Sequence, residues 1–190
     1  MLLVPLSLTL VRLALGPLAI LVAVAGARGW VYAAVLTSGL LSDIFDGVIA
    51  RKLGVDHAWL RRCDSVTDAI FYFCIIATAC IVAGPVMAGG IVPVLCLVGL
   101  ELACNALSLA KFGSLPATHC YSAKFYGLAL FLASIALLTF GAGSWVLWLL
   151  LAVGGISNAE TLAILWLASE APVDAKSLLH HRRGHPSLSV

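Results

Sequence analysis

Charge is scarce in this chain. Lys, Arg, Asp and Glu make up 11% of its 190 residues, where ordinary soluble domains carry about 25%. A soluble domain of this length would need far more polar surface to cover its core. Neither sign dominates: the net charge of +2 gives no sign of a nucleic-acid partner. Short basic stripes remain available to anionic lipid headgroups. None of the six cysteines forms a CxxC pair. Cys74, Cys80, Cys96 and Cys104 lie inside apolar runs, where cysteine acts as a small hydrophobe rather than a metal or redox ligand. Polar linkers, low-complexity segments and internal repeats are also missing, which points to one domain. The first eleven residues contain no Lys or Arg, and Arg12 interrupts the apolar run that follows. Both features argue against a cleaved signal peptide, despite the small residues of "VAVAGARG".

What the chain has instead is apolar length. It is 62% hydrophobic, with a mean hydropathy of +1.09, and a spanning helix needs about 20 mainly apolar residues. The expectation is an all-α, polytopic membrane protein with six transmembrane helices. These run from about Leu6 to Gly26, Trp30 to Arg51, Asp64 to Ala83, Met87 to Leu109, Tyr121 to Phe140 and Trp145 to Ser169. A membrane domain would then cover residues 1–170, followed by a basic tail over residues 171–190 whose His180, His181 and His185 read as solvated. Lys and Arg collect in the second-to-third and fourth-to-fifth connections and in the tail, while the opposite connections are nearly bare. The positive-inside bias therefore places both termini in the cytoplasm.

Against this background, "LLSDIFDGVIARKLGVDHAWLRRCDSVTDAI" (residues 40–70) holds five of the nine acidic side chains. At about 100° per residue, Asp43, Asp46, Gly47 and Ala50 share one stripe of the second helix. Asp64 and Asp68, four apart, share a face of the third. A short connection makes those two helices expected antiparallel neighbours, so that four carboxylates converge near the cytoplasmic interface. Each ionised carboxylate at mid-membrane costs about 2.5–3.5 kcal/mol on insertion scales, and neighbouring carboxylates repel one another. A divalent cation relieves both problems. Hard oxygen ligands suit Mg²⁺, Mn²⁺ or Ca²⁺, and four carboxylates suit two metals about 3.5–4 Å apart. Gly47 and Ala50 leave room beside the carboxylates for a ligand or for close helix packing. Asp56 and His57 lie in the connection and are given no role.

At these residues the chain resembles the CDP-alcohol phosphotransferase family of integral membrane enzymes. Its signature, D-x2-D-G-x2-A-R-x8-G-x3-D-x3-D, is met here by Asp43, Asp46, Gly47, Ala50, Arg51, Asp64 and Asp68, seven of the eight fixed positions with every spacing kept. The departure is Leu60, where the family has a Gly that admits the nucleotide close to the metals. A leucine there narrows that space, shifts the donor or lowers activity. "TLVRLALGPLA", with Thr9, Arg12 and Pro17, is similar to the family's first-helix entry. "SAKFYG", with Lys124, is similar to the basic opening of its fifth helix.

The resemblance implies a concrete chemistry. The donor is a CDP-linked lipid such as CDP-diacylglycerol, the acceptor a small alcohol, and CMP is released. Two Mg²⁺ or Mn²⁺ ions are held by Asp43, Asp46 and Asp64, with Asp68 as general base and further metal contact. Gly47, Ala50, Arg51, Lys124 and Arg12 fall to substrate binding. The basic residues Arg51, Arg61, Arg62 and Lys124 lean the acceptor toward glycerol phosphate or inositol phosphate, although Arg61 and Arg62 read equally well as positive-inside anchors. A homodimer and an active site at the cytoplasmic face are also implied. Glu101 and Glu160, further acids within spans, could pair with Arg12 or Lys124, line the acceptor pocket or bridge helices. Two other readings compete: a catalytically impaired relative, with Leu60 as its sign, and an ion-coupled transporter. The acids gather at one interface rather than stepping across the bilayer, which opposes the transporter.

Overall fold

Long runs of Leu, Val, Ala and Ile between glycine-containing turns leave the backbone one economical solution in lipid: helices that satisfy every peptide group internally. The computed structural model describes residues 3–27, 29–53, 58–114 and 121–168, and these are helical almost throughout. The helices are α1 (Leu3–Val24), α2 (Trp30–Lys52), α3 (Ala58–Val82), the short α4 (Gly84–Gly89), α5 (Ile91–Phe112), α6 (Tyr121–Phe140) and α7 (Trp145–Leu167). All except α4 are long and apolar enough to cross a membrane. No strand occurs among the described residues. The expected all-α fold with six spanning helices is therefore the observed one. The tail over residues 171–190, with its histidines, and the connection carrying Asp56 and His57 lie outside the described residues.

Two boundaries differ from the sequence expectation. Helix α3 begins at Ala58 rather than Asp64. Hydropathy locates only its apolar part, Cys63–Val82, and the helix continues beyond it through "AWLRR". Leu60 thus lies in the first turns of a helix, with its side chain 5% exposed. The fourth span starts at Ile91 rather than Met87, because Gly90 separates the single-turn α4 from α5. Pro85 and Pro93 each occupy a first helical turn, where a missing N–H leaves no helical bond unmade. Gly113 closes α5 with φ 67° and donates its N–H to the Leu109 carbonyl, a left-handed cap that glycine adopts without steric cost.

The chain forms two compact units, Met1–Ala88 with Phe131–Gly143, and Gly89–Leu130 with Ser144–Val190. In the first, α1 packs closely on both α2 and α3, and α2 meets α3 directly where Gly39 faces the Phe71 ring. Small residues permit this approach, as is usual where helices meet in lipid. A Cβ added at Gly16 of α1 would lie 3.1 Å from Cys74 Sγ of α3, and one added at Gly39 of α2 would lie 2.7 Å from the Phe71 ring. In the second unit α5 packs on α7. There, a Cβ at Gly154 would lie 2.5 Å from Leu97 Cδ2 and 2.6 Å from the Tyr126 ring.

Candidate metal and active site

The first unit brings the predicted carboxylates together, with a cation in their midst. Asp43 and Asp46 stand near the C-terminal end of α2, and Asp64 and Asp68 near the start of α3. Arg12 of α1, 1% exposed, lies between them. Its Nη2 donates to Asp46 Oδ2 at 2.6 Å and lies 3.3 Å from Asp43 Oδ1. Its Nη1 donates to Asp64 Oδ1 at 2.8 Å and also to Asp68 Oδ1. Its Nε donates to Ser42 Oγ at 3.4 Å. The Ser42 hydroxyl in turn donates to the Gly39 carbonyl at 2.7 Å, which leaves its lone pairs free for Arg12. One guanidinium therefore reaches all four aspartates, as its planar fork of donors allows.

The four carboxylates are not equivalent. Asp46 is buried beside Arg12, whereas the side chains of Asp43, Asp64 and Asp68 keep 43%, 33% and 37% of their exposure. Those three each offer an oxygen within 4.8 Å of the others. They form the accessible side of the cluster, contributed by two helices, while Asp46 joins it through Arg12. Hard, anionic oxygen donors at this spacing fit a divalent cation such as Mg²⁺ or Mn²⁺. The cluster already gathers around a positive charge, and three of its carboxylates keep part of their surface accessible.

The remaining predicted residues are placed as follows. Gly47 is half-buried on α2 directly after Asp46. Ala50 and Arg51 continue the same helix, and Arg61 and Arg62 lie in α3; the side chains of these four lie outside the described residues. Lys124 is exposed on α6, in the second unit. Thr9 is buried one turn before Arg12. The spacing of the aspartates revealed the cluster, but Arg12 was expected at the substrate or beside Glu101 or Glu160, and instead its guanidinium meets carboxylates. Ser42 was missed altogether. Its only signal in the sequence is its position next to Asp43.

Polar residues of the second unit have other partners. Glu101 accepts a side-chain hydrogen bond from Asn158. Asn158 Nδ2 also donates to the Gly154 carbonyl at 3.0 Å, and Cys104 Sγ lies 3.4 Å from Asn158 Oδ1. Lys111 donates to the Leu165 and Trp166 carbonyls at 2.9 and 2.7 Å. These are the last carbonyls of α7, which lack partners within the helix and carry its negative dipole end.

Fold and site together define an integral membrane protein with a carboxylate centre near one end of its first three helices. The chain belongs to the CDP-alcohol phosphatidyltransferase family, whose model matches residues 2–156. Members of this family transfer substituted phosphate groups in phospholipid synthesis. Comparisons with curated proteins and with solved structures found no match.

Proposed function

We propose that this protein transfers the phosphatidyl group of a CDP-linked lipid, such as CDP-diacylglycerol, to a small acceptor alcohol with release of CMP. The observation that carries this reading is the trio of accessible carboxylates from α2 and α3, with oxygens within 4.8 Å of one another, in a chain of this family. Asp43, Asp46, Asp64 and Asp68 would hold a pair of divalent ions, Mg²⁺ or Mn²⁺. When bound, the ions neutralise the donor's diphosphate and the charge developing on the leaving CMP.

The chain's own residues do the rest. Asp68 takes the acceptor's hydroxyl proton. The acceptor oxygen bonds to the phosphorus that carries the lipid, and the bond from that phosphorus to the CMP oxygen breaks, its electron pair leaving with CMP. Gly47 and Ala50 leave space for the donor beside the carboxylates. Arg51, with Arg61 and Arg62, supplies positive charge for phosphate groups and favours a phosphorylated acceptor, glycerol phosphate or inositol phosphate. Arg12 contributes from within the cluster. Leu60 occupies the position where the family motif has Gly and trims the donor space. The basic connections favour a site and both termini at the cytoplasmic face, and the proposed active form is a homodimer.

The experiment is CMP release by purified protein supplied with labelled CDP-diacylglycerol, Mg²⁺ or Mn²⁺ and a panel of free and phosphorylated alcohols. Release with one acceptor, lost on chelation and in Asp68→Asn, is the expected result. Absence of release with every alcohol from folded protein would overturn it in favour of an impaired relative. Mass measurement in detergent that finds only monomer would remove the dimer.

A further inference from the structure

We infer that Arg12 is a resident counter-ion that competes with metal for the four aspartates, so that loading the site requires the guanidinium to leave its seat. The inference rests on the metal-site reading above and extends it to a residue that the reading does not count as a ligand. Three observations carry it. First, Arg12 uses the residues a metal would use: its contacts on Asp43, Asp64 and Asp68 are made to carboxylates that form the candidate metal group. A carboxylate oxygen directed at a guanidinium nitrogen is turned away from a second cation, and two positive charges at one centre repel.

Second, the seat is built. Arg12 is 1% exposed. All three of its nitrogens have acceptors, and the Nε acceptor, Ser42, is itself buried and oriented by the Gly39 carbonyl. A side chain that had merely fallen among carboxylates would not need a buried hydroxyl aligned to its third nitrogen.

Third, the arrangement solves a folding problem. Four carboxylates brought together from two helices in an apolar chain repel until something positive joins them. Helix α1, packed on both α2 and α3, delivers that charge with the fold. The cluster is thereby assembled before metal arrives. Affinity is lowered by the fraction of molecules in which Arg12 remains seated, as for any site whose competent state is partly populated.

The test is Mn²⁺ binding to the full chain in detergent, read as loss of the free-ion electron paramagnetic resonance signal, with thermal unfolding as a second readout. Arg12→Lys keeps a positive charge, but its single ammonium lacks the fork that spans four carboxylates. Ser42→Ala removes only the Nε acceptor and serves if Arg12→Lys folds poorly. The expected result is Mn²⁺ affinity about tenfold higher in Arg12→Lys, a size typical of coupling between sites, and a smaller rise in Ser42→Ala. Without metal, both variants unfold at lower temperature than the wild type, and Mn²⁺ raises their unfolding temperature more. Unchanged or weaker Mn²⁺ binding in both variants would overturn the inference and make Arg12 a support that stays in place beside the metal. Absence of binding in every protein, or binding that survives Asp43→Asn/Asp64→Asn/Asp68→Asn, would instead overturn the metal-site reading itself.

Discussion

The two units of the chain treat polar groups in opposite ways. In the second, three polar residues meet neutral or backbone partners: Lys111 caps the end of α7, and Asn158 links Glu101 to the Gly154 carbonyl. In the first, four carboxylates share one guanidinium, so negative charge exceeds positive among the described side chains of the cluster. The satisfied groups need nothing more, and their geometry explains their presence as structure. The unbalanced cluster is relieved in an apolar chain by additional positive charge or by taking up protons. Intramembrane polarity alone does not identify a functional site; an excess of one sign does.

The contrast can be broken by experiment. Asp68→Asn should lower CMP release by about 100- to 10,000-fold, the usual range for losing a general base, and chelation of the wild type should do the same. Glu101→Gln keeps an acceptor for Asn158 and should leave the rate within about twofold, since a neutral hydrogen bond contributes little net. A Glu101→Gln rate as low as that of Asp68→Asn would place chemistry in the second unit and erase the distinction.

Stability should divide along the same line. Arg12→Gln leaves four carboxylates without their common partner and should cost about 3–5 kcal/mol, as broken buried ion pairs do. Lys111→Met uncovers two helix-end carbonyls and should cost about 1 kcal/mol, with CMP release unchanged. Denaturation of the metal-free proteins in one detergent measures both losses. Equal losses would show that Arg12 is an ordinary structural cation. Between these two lies Gly39→Ala, which presses on the Phe71 ring and should cost about 1–3 kcal/mol by overpacking.

The smallest effect sharpens the site rather than breaking it. Leu60→Gly restores the residue of the family motif while removing a buried leucine. A gain in transfer with CDP-diacylglycerol, despite lower stability, would show that the leucine restricts the donor. A change in stability alone would make it a core residue.

By itself, the sequence determined the fold class, because lipid accepts few backbone solutions and six apolar runs of helical length allow only one of them. It also determined which carboxylates belong together, since spacings of three and four residues put them on common helix faces whatever surrounds them. Its hydropathy did not locate the start of α3, where a helix runs on past its apolar part, or the break at Gly90. Only the tertiary structure decided that α1 packs on both α2 and α3 and that Arg12 therefore reaches all four aspartates. Arg12 and Asp68 are 56 residues apart, and no local periodicity joins positions on different helices. The division of labour among the aspartates, three accessible and one buried against the guanidinium, came from the same source. Burial is a property of the packed neighbours, and a residue's own chain segment does not contain them.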